Sequence, residues 1–455
     1  MLKNVTNLNK KNFSIDSILL INLVLAFFPI SFVLGNLITN INLVLFCVLG
    51  IFHLRSKILT TKFNLPIKII FLLFFVILFS TSLSFIKSFY FQEYDESIIT
   101  RLIKSVLFFR FFILLLVIYI LSEYDFLNYK YFFVSSAFSA FIISADVVFQ
   151  YTFGFNIVGL ESYFHYNTSF FGDELISGGF IQNFAFFSIL FFIYIFRNNK
   201  NYFKLILIPF LITLISLGIM VSGNRMPFIL FLLGLFLIYI FNKKIRKLVL
   251  VSILIIPLVF SFVISSDNYW KVAYKSFYHN IRGTTLDLFE RMQSDEEEVL
   301  LKEQKEHLAY QRELSGHRKL ISTAIETWKL HRIFGNGIKS FREDCRKIIE
   351  TQKRGICSNH PHNYYMEVLT DLGIVGLIVV IIIASMFLFY LFKNYRFLGK
   401  NNLHSLFLLA ATISLFLEVF PIKSSGSIFT TNNATYIILV ASIILSHKKL
   451  LEGKN

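Results

Sequence analysis

The densest gathering of reactive side chains in the sequence is Cys357-Ser-Asn-His360-Pro-His362-Asn363-Tyr-Tyr, immediately ahead of a long apolar run. Asn363 is a good N-cap, so His362 would sit at the positive end of the helix that follows. That field disfavours the imidazolium and leaves a neutral imidazole able to accept a proton near pH 7. The unpaired N–H groups of the same helix end make a ready anion site. Gly373 and Gly376, three residues apart, are expected on one helical face, where small residues let a neighbouring helix come close and fix the helix that aims the histidine. Reading His360 and His362 as ordinary interfacial side chains leaves the convergence of two histidines, a proline and an N-cap without a reason.

Two arginines stand out as anion ligands. Ser222-Gly-Asn-Arg225-Met-Pro227 is a tight turn with its cation at a membrane boundary, where charge often faces a cavity or ligand, and Pro227 suits a first helical turn. Ser315-Gly-His-Arg318 opens a helix, and a guanidinium offers a planar fork that matches phosphate oxygens. Arg282, Arg291 and Arg312 compete with Arg318 in the same loop. Arg101 and Lys104 read as snorkelling side chains, whereas Arg110 lies deeper and should face protein or a polar cavity. Glu93, Asp95 and Glu96 lack a histidine and read as a solvated loop; no metal site is expected. Cys345 and Cys357, twelve residues apart, would be allowed to bond in an oxidising compartment, adding about 2–3 kcal/mol of local stability.

The elements that must position these residues are membrane helices. The chain has 455 residues, of which 55% are hydrophobic and 56 are phenylalanine, more apolar surface than a soluble core can bury. Crossing about 30 Å of hydrocarbon takes about 20 apolar residues per helix. About twelve such runs are expected, near residues 17–35, 37–53, 65–86, 99–121, 131–152, 178–196, 204–221, 227–241, 248–265, 365–392, 403–421 and 432–447. The first lacks a small-residue cleavage site and reads as a retained helix. The formal charge of +16 follows topology and not nucleic-acid binding. About 20 lysines and arginines fall in segments on one side, against Lys87, Arg225 and Lys423 in the short segments of the other, which predicts cytoplasmic termini.

The organisation expected is an all-α polytopic protein: helices 1–9 over residues 1–266, a large, mostly helical extracytoplasmic loop domain over 267–364, and helices 10–12 over 365–455. Within the loop, Asp295 to Leu314 reads as a solvated surface helix and Gly316 to His331 as a helix whose apolar stripe carries Leu320, Ala324, Thr327 and Trp328. Gly335 and Gly337 mark a turn. The sequence has no P-loop, G-x-G-x-x-G or zinc-type array, which argues against ATP-driven transport.

His362-Asn363, nine residues, then Gly373-Ile-Val-Gly376 resembles the H-[NSQ]-x9-G-x-x-G signature of the O-antigen ligase family, bacterial membrane enzymes that attach O-polysaccharide to lipid A-core. Arg225 in Ser-Gly-Asn-Arg is similar to that family's arginine-bearing turn. Arg318 to Trp328 with Phe334-Gly-Asn-Gly337 is similar to its R…W…G-x-G segment. Asp146 to Gln150 with Gly154, and Ser169 to Leu175, resemble weaker family patterns. The resemblance implies a GT-C-like, metal-independent transferase without a cofactor, in the inner membrane with the loop periplasmic. Its donor would be an undecaprenyl-pyrophosphate-linked glycan and its acceptor lipid A-core or a similar glycan. His362 would carry the family's essential histidine, and Arg225 and Arg318 its two essential arginines. The O-antigen polymerases share this domain and are the alternative; a non-catalytic carrier of lipid-linked glycans is the reading from another class.

Overall fold

The computed structural model describes residues 16–91, 96–163, 165–266, 269–278, 316–352 and 355–446. Its principal helices are α1 (Ser17–Ala26), α2 (Phe28–Val33), α3 (Asn36–Leu54), α4 (Lys57–Thr60), α5 (Leu65–Tyr90), α6 (Glu96–Glu123), α7 (Tyr129–Phe153), α8 (Ser177–Ile195), α9 (Asn201–Val221), α10 (Arg225–Phe241), α11 (Arg246–Ser266), α12 (Gly316–Leu330), α13 (Phe341–Gln352), α14 (Tyr364–Lys393), α15 (Leu403–Glu418) and α16 (Thr431–Ser446). Residues 269–278 are also helical. Among the described residues there is no strand beyond the isolated bridges Phe155–Glu161 and Tyr163–Tyr166. The surface helix expected over Asp295 to Leu314 lies outside the described residues, whereas the one expected from Gly316 is α12.

Each of the twelve apolar runs falls on one of these helices, the first on the α1–α2 pair. Eight helices are long and apolar enough to cross a membrane, and α1, α10, α15 and α16 are shorter apolar helices. The chain is a multi-pass membrane protein. Asparagines start several helices by accepting from backbone N–H groups: Asn64 from Ile67, Asn128 from Lys130 and Asn402 from Ser405. Outward faces carry large apolar side chains such as Phe52, Phe210, Leu258 and Phe262, whose apolar solvent is lipid.

The centre of the bundle is aromatic. Phe133 of α7 lies 5.2 Å from Phe407 of α15, and Phe187 of α8 stands 5.8 Å from both Phe132 and Phe407. All four rings are buried, and such pairs gain about 0.5–1.5 kcal/mol each beyond their burial. Part of the expected loop domain joins this core: Trp270 and Tyr274 are buried, and Tyr274 packs against Phe260 of α11 at 5.1 Å. A second, small core of Leu320, Ala324, Phe341 and Cys345 holds α12 to α13, and Cys345 and Cys357 are joined by a disulfide with Cα atoms 5.5 Å apart.

The helix that follows His362 is not continuous. Gly373 adopts φ 66° and ψ −167° and breaks α14 one-third of the way along. This corrects the expectation that Gly373 and Gly376 share an unbroken helical face. The break admits the 332–337 segment: Ile374 N–H donates to the Arg332 carbonyl at 2.9 Å and Val375 N–H to that of Ile333 at 3.2 Å. A Cβ on Gly373 would stand 2.2 Å from the Ile333 oxygen, so the position demands glycine by space as well as by dihedral. Asp371, fully buried two residues earlier, accepts from Lys339 N–H, Phe341 N–H (3.1 Å) and the Ser340 hydroxyl (3.3 Å), and so caps the entry to α13. Ser80 and Ser84 of α5 complete the seam by donating to Phe334 O and Asn336 Oδ1.

Gly373→Ala is therefore expected to cost about 3 kcal/mol or more. Gly179→Ala, where an added Cβ meets nothing within 4 Å, should change stability by less than about 1 kcal/mol. Thermal unfolding in detergent distinguishes the two; equal midpoints would contradict the role assigned to the break.

Candidate active site

Four segments meet around a cavity of about 570 Å³: the 166–184 stretch, the 223–227 turn, and the 361–364 and 418–436 segments. His362 and Arg225 both line it. The turn that carries Arg225 is glued to the start of α8. Asn224 accepts from Gly178 N–H at 3.1 Å and donates to the Leu175 carbonyl at 3.0 Å, while Asn167 donates to Val221 O at 2.6 Å. Gly223, at φ 89°, lies under the Tyr166 ring, where a Cβ would stand 2.4 Å from the nearest ring carbon. The Tyr166 loop is held by buried groups of α7: Gln150 accepts from Ser169 N–H at 2.8 Å and donates to Leu160 O at 3.0 Å. Asp146 accepts from Ile157 N–H at 3.0 Å and from the Ser169 hydroxyl. Of the residues singled out as weaker motifs in mid-chain, Asp146 and Gln150 thus hold the loop, and Phe171 and Leu175 line the cavity.

His362 is set by its neighbours. Asn363 caps α14 through Tyr365 N–H (3.0 Å) and Met366 N–H (3.1 Å), and its amide donates to Pro421 O at 2.7 Å and Lys423 O at 3.3 Å. Ser425 N–H donates to the His362 carbonyl at 2.9 Å. The His362 backbone is left-handed, φ 55°, and its N–H donates to His360 Nδ1 at 3.1 Å. The two imidazoles lie 4.2 Å apart, edge to face. Burial, then the charges of His362 and Arg342, push the His360 pKa down to about 4, so His360 is a neutral acceptor at pH 7.

Residues that sequence reasoning missed form the cavity floor. Glu418 and Lys423 are both buried and make an ion pair, with Tyr364 donating its hydroxyl to Glu418 at 2.5 Å. Tyr436 donates to Asn183 O at 2.9 Å. Four lining atoms, Arg225 Nε, Asn183 Oδ1, Ser425 Oγ and Asn432 Oδ1, are buried without a hydrogen-bonding partner. Left so, each costs about 1–3 kcal/mol, and together they suit a polar ligand rich in hydroxyl or phosphate oxygen. The signal in sequence was the run of polar residues from Lys423 to Ser427 and Asn432-Asn433, breaking an otherwise apolar end.

Not every expected residue is brought here. α12 starts two residues before Arg318 and Ile321 from its second turn lines the cavity, but the Arg318 side chain lies outside the described residues, as do Arg282, Arg291 and Arg312. Glu93 and Asp95 also lie outside them. Arg101 does not snorkel: it is 5% exposed, donates to Asn336 O at 3.0 Å and pairs with Glu343 at 3.5 Å. Arg110 does face protein, reaching Thr431 Oγ at 3.5 Å.

Comparison with known proteins adds a family. The family model described as O-antigen ligase matches residues 209–381, a span running from α9 through Arg225, the loop and His362 to the segment just past Gly376. That span is similar to the O-antigen ligase domain. Among curated proteins none matches the chain. The matched span contains both cavity residues proposed from sequence, while Glu418, Lys423 and the lining residues of the 166–184 stretch lie outside it.

Two outcomes follow. Lys423→Met leaves Glu418 buried and uncompensated and should cost about 3–5 kcal/mol, while the double variant with Glu418→Gln, which still accepts from Tyr364, should regain at least half. Additive losses in thermal unfolding would contradict the pairing. For His360, a folded pKa of about 4 lies below the ordinary value of about 6.5. Between those values the unfolded chain binds a proton that the folded chain does not, so stability falls as pH drops from about 6.5 to about 4 and is unaffected above. His360→Asn, which retains an acceptor for His362 N–H, should flatten that part of the melting profile; an unchanged slope would count against it.

Proposed function

We propose that the protein is a glycan transferase of the O-antigen ligase type. It moves a glycan from undecaprenyl pyrophosphate to lipid A-core or a similar acceptor at the periplasmic face of the inner membrane. The observation that carries this reading is the sharing of one polar-lined cavity by His362 and Arg225 inside the matched domain. The aromatic and apolar lining of Phe32, Phe171, Phe180 and Phe184 beside those charges suits a ligand with a lipid tail and a polar head.

In this mechanism the acceptor hydroxyl gives its proton to the neutral imidazole of His362 as its oxygen attacks the anomeric carbon. The anomeric C–O bond breaks, and its electron pair leaves on the pyrophosphate oxygen. Arg225 stabilises that charge in a pocket partly shut off from water, with Arg318 as the second guanidinium. Attack opposite to the leaving group inverts the anomeric centre. Asn363 and Ser425 hold the histidine backbone, so the geometry is set before substrate arrives.

His362→Ala is expected to lower transfer by about 10²–10⁴-fold while the protein stays folded and inserted. Arg225→Ala should lower it comparably, and Arg225→Lys should recover part. The assay is purified protein with undecaprenyl-pyrophosphate-linked glycan and either lipid A-core or a second lipid-linked repeat. Transfer to the first supports the ligase; extension of the second alone makes it a polymerase; normal transfer by His362→Ala would refute the catalytic assignment.

A further inference from the structure

Outside the cavity, four cations gather without a carboxylate to pair them. Lys104 and Arg110 belong to α6; Lys339 and Arg342 flank the start of α13. The frame is explicit. The Ser97 hydroxyl donates to Glu343 at 3.1 Å and Arg101 pairs with the same carboxylate at 3.5 Å, clamping the first turns of α6 and α13 together. Lys104 is the next turn of α6, Lys339 is anchored through its N–H to Asp371, and Arg110 reaches Thr431.

All four side chains are half-buried. The carboxylates around them are engaged elsewhere: Glu343 by Arg101 and Ser97, Asp344 by Asn336 and Lys347, Glu367 by Ser427 and Ile428, and Asp371 by the cap of α13. Among the described residues none of the four makes an ion pair, and Nε of both Arg110 and Arg342 is buried without a partner. Burial together with Arg342, Lys104 and Arg110 holds the Lys339 pKa below the usual lysine value, against the pull of Glu367. Like charges brought half out of water need an anion to offset them.

We propose that Lys104, Arg110, Lys339 and Arg342 form a second anion site that takes the phosphate of a lipid headgroup. The lipid, and not a free phosphate, is indicated by α6 itself: Ile103, Val106 and Leu107, next to Lys104 and Arg110, are each more than half exposed and offer an apolar track for an acyl chain. The Cys345–Cys357 disulfide ties α13, which carries Arg342, to the segment just ahead of His360, which joins this site to the histidine pair. On the transferase reading, from which this last step follows, the bound lipid is the acceptor, held by its own phosphate while the donor pyrophosphate lies at Arg225.

The test uses the full-length protein in detergent, with retention of phosphatidic acid and of phosphatidylcholine compared by native mass spectrometry. Phosphatidic acid should be preferred by about tenfold or more, and Lys339→Asn with Arg342→Gln should abolish about tenfold of that preference. Asparagine suits the left-handed backbone at Lys339, φ 61°. Lys339→Arg with Arg342→Lys should keep the preference, which separates charge from folding. Equal retention of both lipids, or an unchanged preference in the neutralised variant, overturns the site; complete displacement by millimolar inorganic phosphate overturns the lipid as its occupant. In transfer assays the neutralised variant should raise the KM for acceptor about tenfold and leave the donor KM unchanged. A rise confined to the donor KM would overturn the acceptor role without touching the transferase reading.

Discussion

The cap formed by Asn363 is the constraint from which the site follows. One side chain closes the tip of α14 and, through its amide, ties the 421–423 backbone to that tip. His362 has no freedom left in its main chain, because Ser425 and His360 take its carbonyl and its N–H. A helix N-terminus also supplies partial positive charge that favours an anion nearby. The residue that fixes the histidine backbone and the helix end that favours an anion are thus one feature.

A second constraint comes from the low-dielectric surroundings. Polar groups between apolar helices must find partners within the protein, and here they are used as fasteners between distant parts of the chain. Asp371 caps α13, Asp146 and Gln150 hold the 156–169 loop, and Arg101 binds α6 to Asn336 and Glu343. Four buried polar atoms without partners, on Asn183, Arg225, Ser425 and Asn432, line the cavity. Those four atoms are held in place by the surrounding fasteners and are open to a polar ligand, as in a preorganised site.

The helices were legible because length and apolarity alone demand them, and all twelve runs lie on helices. His362 and Arg225 were legible because a cation or imidazole at a membrane boundary is costly and short-range signals, a cap and a tight turn, accompany each. The break at Gly373 was not: Leu372-Gly-Ile-Val-Gly reads as uninterrupted helix, and only the approach of the Ile333 carbonyl demands a bend. The partners of Arg101 and Asp371 were hidden for a similar reason. Arg101 meets a segment 235 residues away and Asp371 one 30 residues away, distances that no local periodicity encodes. The Glu418–Lys423 floor was hidden in plain view, since a lysine beside a membrane helix ordinarily reads as topology.

On the proposed function, labour in the one cavity is divided: Arg225 would grip the diphosphate and His362 would handle the acceptor proton. The most direct measurement of that division is the affinity of the purified protein for undecaprenyl pyrophosphate, read without turnover. The account predicts that Arg225→Ala weakens binding by about tenfold or more while His362→Ala binds as the parent does. Undiminished binding by Arg225→Ala would contradict it.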